Sequence, residues 1–127
     1  MTARVPASFM TSKKLGRFPK SAAEFRTFDG ITFDSKIEMM RFAELRQREK
    51  AGMICELTRQ PEYRVSINAI HVMTYTADFK YRDPETGEWT VEDVKSRGAG
   101  GTADAAFRIR KRCVEAFFGV EISVVTR

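Results

Sequence analysis

The sequence YTADFKYRDPETGEWTVEDVK, residues 75–95, sets the architecture of this chain. At both of its ends, apolar and polar residues alternate as they do in strands, and β-branched and aromatic residues are frequent. The segment DPETG between them (83–87) has the composition of a tight turn. We therefore expect an antiparallel hairpin in which Asp78 and Asp93 lie at similar distances from the turn and come close together.

Another strand is predicted before this hairpin. Residues 53–67 (MICELTRQPEYRVSI) alternate, and Pro61 interrupts them, which marks an edge or a bend. A turn at Asn68-Ala69 is expected to join this strand to residues 71–83. Three antiparallel strands therefore follow one another along the chain.

Helices are predicted on either side of these strands. Asp34 or Ser35 supplies an N-cap, and Glu38 follows Ser35 at the spacing of a capping box, so a helix should run to about Lys50 and end at Gly52. A second helix should begin at Thr102 or Asp104 and end near Phe118, with an apolar side formed by Ala106, Ile109, Cys113, Val114 and Phe117. The near-continuous apolar run at 120–126 predicts a parallel strand buried on both faces.

The resulting fold class is α/β, or more loosely α+β. Its order is one helix, three antiparallel strands, one helix and one strand around a mixed sheet. Residues 28–127 form this domain, opening with a short hairpin at Asp29-Gly30. Residues 1–27 form a basic N-terminal arm.

Composition excludes several classes of protein. The chain has 127 residues with 43% hydrophobic and 31% charged, which fits one folded domain. Its two cysteines, Cys55 and Cys113, and its one histidine are too few for a zinc site of the usual kind, and we expect both cysteines to be buried and reduced. No apolar run is long enough to span a bilayer, and no signal peptide is evident, so we expect a cytoplasmic protein without membrane contact.

The positive charge is concentrated at the N-terminus. The net charge is +5, and residues 1–28 hold six basic residues against one acidic residue, so the remainder is balanced. Such an arm suits the phosphate backbone of nucleic acid, although a solvated terminus has the same composition.

Asp93 and Lys95 stand two apart on a predicted strand and therefore share one face. Asp78, on the neighbouring strand, is a poor strand former that needs a partner if it is buried. Carboxylate oxygens suit Mg²⁺, and an adjacent lysine can stabilise negative charge on a phosphate. Taken singly, Asp93 could instead pair with Lys80 or Arg82, Lys95 could face solvent, and Glu38 could serve only as a cap.

Asp78, a hairpin, and then Asp93-x-Lys95 together resemble the signature of the PD-(D/E)xK nuclease superfamily. Ala77 stands where that motif often has proline. Glu38, in Phe33-Asp34-Ser35-Lys36-Ile37-Glu38, matches the glutamate that many members place on the preceding helix. Together with Gln60-Pro61, the pattern resembles small phage and prophage proteins of this superfamily and covers about residues 28–126.

The resemblance implies a restriction-endonuclease-like core that hydrolyses DNA phosphodiester bonds with Mg²⁺ or Mn²⁺. Asp78, Asp93 and Glu38 would be the metal ligands, and Lys95 would position the attacking water. Gln60 is a weaker, second-tier candidate. Junction resolvases belong to the superfamily, so branched DNA in phage replication or recombination is the expected substrate, with a homodimer possible.

Two function classes stay open. One is this structure-specific endonuclease, located in the host cytoplasm if the gene is phage-borne, and the other is a non-catalytic DNA-binding module on the same fold. A sequence-specific restriction enzyme is disfavoured by size. In either class, basic residues outside the motif are candidates for DNA contact: Lys13, Lys14, Arg17, Lys36, Arg108, Lys111 and Arg112.

Overall fold

The computed structural model describes residues 22–97 and 102–127, with side chains of the second long helix described from Ala105 onward. These residues fall into two compact units that divide between Lys36 and Ile37. Most of the predicted arm, including Lys13, Lys14 and Arg17, lies outside the described residues.

The first unit contains the small hairpin predicted at Asp29-Gly30. A 3₁₀ helix (Ala23–Arg26) leads into strands β1 (Thr27–Phe28) and β2 (Ile31–Thr32), which pair antiparallel. Asp29 and Gly30 both have positive φ, 56° and 79°, as the two central residues of a type I′ turn require. The prediction of this turn is confirmed.

The second unit is built on a four-stranded mixed sheet with the order β3-β6-β7-β8. Its strands are β3 (Cys55–Arg59), β6 (Phe79–Arg82), β7 (Trp89–Lys95) and β8 (Ile122–Thr126). The first three are antiparallel neighbours, and β8 is parallel to β7, as predicted. Strand β8 is nevertheless an edge strand with Val124 44% exposed, so the expectation that both its faces are buried was wrong.

Strands β4 (Glu62–Ile67) and β5 (Ile70–Thr76) form a separate two-stranded sheet. Strand β4 follows β3 along the chain, and β5 precedes β6. The strands are interrupted between the two sheets, at residues 60–61 and 77–78. Pro61 therefore marks a bend, one of the two outcomes that its position allowed. The prediction of three strands between the two long helices was wrong, since five are present. Residues 53–67 and 71–83 were each predicted as one strand, but the chain changes sheets at residues 60–61 and at Ala77-Asp78.

The two long helices cover opposite faces of the four-stranded sheet. Helix α1 (Lys36–Lys50) lies against the face of Phe79 and Glu92: the Phe42 and Phe79 rings stack at 6.0 Å, and Arg41 binds Glu92. Helix α2 (Thr102–Phe118) packs its Val114 into the core of the opposite face, together with Val91, Ile122, Val65 and Tyr75.

The end of α1 follows the prediction. Gly52 has a φ of 79°, and its N–H donates to the carbonyl of Glu49 at 3.0 Å, while Met53 N–H donates to the carbonyl of Arg48 at 2.9 Å. These two bonds form a Schellman motif, in which glycine takes the left-handed position without steric cost.

The apolar side predicted for α2 was largely wrong. Ile109 and Phe117 are 68% and 51% exposed, and Cys113 is exposed, whereas Phe107 and Val114 face the protein. Apolar residues cover a wide sector of this helix, so their spacing alone did not fix which part of that sector is buried. Cys55 and Cys113 are both free thiols, but neither is fully buried, which corrects that expectation as well.

No helix in the described part of the chain has the length and apolarity needed to cross a membrane.

Candidate active site

A cleft of about 560 Å³ opens where the two sheets of the second unit meet. Its walls come from α1, β5, the bend before β6, β7 and the first turns of α2. A volume of this order admits a nucleotide-sized group. The residues that line it are Glu38, Thr74, Tyr75, Thr76, Asp78, Asp93, Val94, Lys95, Ala106, Phe107 and Arg110.

All four residues of the predicted site line this cleft. Asp93 and Lys95 stand two apart on β7 and share the face that α2 covers. Phe79 pairs with Glu92, and the N–H of the preceding Asp78 donates to the carbonyl of that same Glu92, so Asp78 lies beside β7 and its side chain interacts with that of Asp93. Glu38, in the first turn of α1, enters from the helix on the other side of the sheet and interacts electrostatically with Asp78.

The Asp78 side chain is held by the neighbouring strand. The backbone N–H of Val94 donates to Asp78 Oδ2 at 2.7 Å. The backbone of Asp78 is fixed as well, since its N–H donates to the carbonyl of Glu92 at 3.0 Å and its carbonyl accepts from Gln60 N–H at 2.9 Å. Asp78 therefore sits at the bend rather than within a strand, and its orientation is set by three backbone contacts.

The Asp93 side chain is held by a residue that the motif does not include. Tyr75 on β5 is 4% exposed, and its hydroxyl donates to Asp93 Oδ2. Asp93 itself is 6% exposed. Each of the two aspartates thus has one carboxylate oxygen bound to a protein donor, which orients the other oxygen of each carboxyl group.

Burial raises the pKa of Asp93 to about 7, an effect to which the nearby Asp78 carboxylate adds, while the Tyr75 hydrogen bond and Lys95 act in the opposite direction. Burial also raises the pKa of Asp78, and the negative charge of Glu38 adds to this. Ionising Asp78 and Asp93 is therefore unfavourable in the metal-free protein, and a bound cation would stabilise their charged forms.

Lys95 is half-buried beside these carboxylates. Its Nζ lies 4.0 Å from the centroid of the Phe107 ring on α2, a cation–π contact that holds the ammonium group in the cleft. The alternative partners considered for Asp93 are engaged elsewhere: Arg82 pairs with Glu56 at 2.6 Å, and Lys80 Nζ lies 4.5 Å from the Trp89 ring.

The donor set fits a hard divalent cation, since carboxylate oxygens are the ligands that Mg²⁺ and Mn²⁺ prefer. Protein donors that anchor the non-ligating atoms of carboxylates are typical of metal sites. Among the side chains of residues 22–97 and 105–127, no three from His, Cys, Asp or Glu already converge on one point as ligands. The fit therefore rests on the paired aspartates and on the raised pKa values, with Glu38 at their side.

The other predicted residues lie away from the cleft. Gln60 is exposed and reaches the site only through its backbone N–H. Lys111 forms an ion pair with Glu115 at 3.1 Å. Three further candidates for DNA contact are exposed but do not line the cleft: Lys36, Arg108 and Arg112.

Two cleft residues escaped the sequence analysis, Tyr75 and Arg110. In a continuous strand, Tyr75 and Asp78 would face opposite sides of the sheet. The break at residues 77–78 brings both to one cleft, and the alternation of the sequence carries no sign of that break. Arg110 was missed because the buried side of α2 was predicted wrongly: it stands three residues after Phe107 and four before Val114, the two residues that face the protein.

Comparison with known proteins adds the family. The model of the DUF1064 family, described as a protein of unknown function, matches residues 19–127, so the chain belongs to this family. No curated protein and no solved structure matches the chain.

Proposed function

We propose that this member of the DUF1064 family is a metal-dependent endonuclease that hydrolyses DNA phosphodiester bonds on a restriction-endonuclease-like core. The observation that carries the proposal is the common cleft of Asp78, Asp93, Lys95 and Glu38. Sequence order alone selected these four residues, and they come from three different elements. Their convergence is what an active site of this type requires.

Asp78 and Asp93 would hold Mg²⁺ or Mn²⁺, with Glu38 as a third carboxylate. A metal bound there would supply a water of lowered pKa and neutralise charge on the phosphate. Lys95 offers an ammonium group on the same face as Asp93, where it can stabilise negative charge that develops on the phosphate oxygens. Tyr75 and the Val94 N–H keep the two aspartates oriented.

The proposal includes branched DNA as the substrate and a place in phage replication or recombination. Support for this finer part comes from the resemblance to phage proteins and junction resolvases. Two symmetric cuts in a junction need two active sites, so a homodimer belongs to the same proposal. The experiment below decides between branched and linear DNA.

The test is cleavage of labelled four-way junction, flap and linear duplex DNA with Mg²⁺, Mn²⁺ or EDTA. We expect metal-dependent cutting that Asp93→Asn abolishes with the fold intact, since the amide is a much poorer ligand for a hard cation. Circular dichroism would check the fold. Glu121→Gln is a matched control, because Glu121 is exposed and does not line the cleft.

Cutting by Asp93→Asn at the wild-type rate would show that the site is assigned wrongly. Tight, salt-sensitive binding of DNA with no cutting of any substrate would favour the non-catalytic DNA-binding module instead.

A further inference from the structure

Arg110 lies in the cleft beside the proposed catalytic residues. It is exposed and lies on α2, three residues after Phe107, which contacts Lys95. Three residues correspond to an advance of about 4.5 Å along a helix. Among the described residues that line the cleft, Arg110 and Lys95 are the two cations. Positive charge in the cleft is therefore arranged along one wall, with Arg110 further along α2.

The guanidinium group of Arg110 has a hydrogen-bond partner on the facing hairpin. Its Nη2 donates to the backbone carbonyl of Thr74 on β5 at 3.0 Å, which ties α2 to the β4–β5 hairpin across the cleft. One such bond occupies a single donor of the five that a guanidinium group carries. Among the side chains that the structure describes, residues 22–97 and 105–127, no carboxylate forms an ion pair with it. A planar cation held this way has N–H donors left for an anion.

The neighbouring basic residues of α2 are placed differently. Lys111 is paired with Glu115, and Arg108 and Arg112 do not line the cleft. Of the four basic residues between positions 108 and 112, only Arg110 lines the cleft. Guanidinium groups bind phosphate oxygens in a bidentate manner, and a fixed fork loses less conformational entropy on binding than a flexible lysine does.

We infer that Arg110 binds a backbone phosphate of the nucleic-acid strand in the cleft, beside the scissile phosphate. This contact rests on the proposed function only in that the cleft holds nucleic acid. It is independent of base sequence, because a phosphate carries no sequence information. Arg110 is a substrate-binding residue that holds the strand beside Asp78, Asp93 and Lys95 in the ground state and the transition state alike.

The test is binding of fluorescein-labelled junction, flap and duplex DNA, measured by anisotropy with Ca²⁺ in place of Mg²⁺. Arg110→Ala should weaken binding of every DNA by a similar factor of about ten, as expected for a hydrogen-bonded charge. The slope of log affinity against log salt should fall by about one. Arg110→Lys should lie between, because it keeps the charge and loses the fork.

Arg48→Ala is the matched control. Arg48 is also an exposed helical arginine, but it lies about 15 Å along α1 from Glu38 and does not line the cleft. With Mg²⁺, Arg110→Ala should raise KM with kcat little changed, as for loss of binding that is equal in ground and transition states.

The outcomes separate this inference from the proposed function. If Arg110→Ala and Arg110→Lys bind DNA as Arg48→Ala does, the inference is overturned whether or not the wild type cuts. If the wild type binds DNA and never cuts it, the nuclease proposal fails, while the two Arg110 variants still decide the phosphate contact. A wild type that binds none of the three DNAs overturns the inference.

Discussion

The Tyr75 hydroxyl donates a hydrogen bond to one of the two carboxylate oxygens of Asp93. Asp78 has the same arrangement with a backbone N–H as the donor. Substituting a side-chain donor is simple, whereas the backbone donor cannot be removed without disturbing β7. Tyr75 is therefore the residue through which the orientation of the aspartates can be tested.

We expect Tyr75→Phe to weaken metal affinity by about 10- to 100-fold, as is usual when a partner of a metal ligand is lost. The measurement is cleavage rate against Mg²⁺ or Mn²⁺ concentration. High metal should restore most of kcat, since all proposed ligands remain. Tyr63→Phe is the control, because Tyr63 packs on Phe118 outside the cleft. If the two variants show the same dependence of cleavage rate on metal concentration, Tyr75 does not orient Asp93.

The raised pKa of Asp93, about 7, predicts how stability depends on pH in the metal-free protein. The folded-state pKa lies above the unfolded value of about 3.9, so the folded state holds the proton more tightly. This contribution is complete below pH 4 and is lost as pH rises through 7. We therefore expect Asp93→Asn to gain stability relative to the wild type between pH 5 and 8.

Urea unfolding in EDTA at several pH values measures this difference. Addition of Mg²⁺ or Mn²⁺ should stabilise the wild type at pH 8 and leave Asp93→Asn little changed. A constant difference between the two proteins from pH 5 to pH 8 would contradict the expected titration.

At the scale of elements, helix α1 is joined to the sheet by a buried ion pair. Arg41 Nε and Nη2 donate to the two carboxylate oxygens of Glu92 at 2.9 and 2.6 Å, and the Tyr81 hydroxyl also donates to Glu92. The side chains of Arg41 and Glu92 are 11% and 3% exposed. Because Glu38 stands one turn before Arg41, the same pair fixes where Glu38 enters the cleft.

We expect Arg41→Met to lower the free energy of unfolding by about 3–5 kcal/mol, since it leaves the Glu92 charge buried without its partner. Adding Glu92→Gln should recover part of that loss, because a neutral amide is cheaper to bury and can still accept from Tyr81. Urea unfolding measures both. Arg82→Met, which breaks the solvent-exposed pair with Glu56, should have a much smaller effect, because water screens such a pair. Similar losses at Arg41 and Arg82 would refute the buried-pair account.

Turns and helix ends were predicted correctly where a residue type fits one backbone conformation, as at Asp29-Gly30 and Gly52. The Asn68-Ala69 turn was predicted too, and both residues have positive φ, 53° and 64°. Which side of a helix is buried was not predictable in the same way. The buried face of α2 depends on Phe107 meeting Lys95 and Tyr75, which no local period records.

For the site, the order of motifs was enough to name Glu38, Asp78, Asp93 and Lys95. The residues that support them were missed, because Tyr75 enters the cleft through a strand break and Arg110 lies on a side of α2 that was not predicted to face the protein. Such residues are defined by packing between elements that are distant in sequence.

At the scale of the whole molecule, charge is unevenly distributed between the N-terminal residues and the rest of the chain. The family match begins at residue 19, and the residues before it include Arg4, Lys13, Lys14 and Arg17. None of the cleft residues precedes Glu38. Removing the N-terminal residues should therefore affect DNA binding without affecting the chemical step.

We expect a chain lacking residues 1–18 to keep kcat and to bind DNA more weakly at low salt. The slope of log affinity against log salt should fall by up to about 0.9 for each cation that contacts a phosphate. Anisotropy titrations at several salt concentrations measure this. An unchanged slope would mean that these four cations make no phosphate contact.

The hydrogen bond from Val94 to Asp78 has a consequence for spectroscopy. A backbone N–H that donates to a carboxylate oxygen forms a charge-assisted bond, which is stronger than a bond to a neutral carbonyl. The resonance of this one amide proton should move far downfield and respond whenever the charge of Asp78 changes. In a ¹⁵N-correlated NMR spectrum, Val94 would therefore act as an internal probe. It would report occupancy of the acidic cluster during a titration, with no reporter group beyond the backbone ¹⁵N and without a substrate to cut.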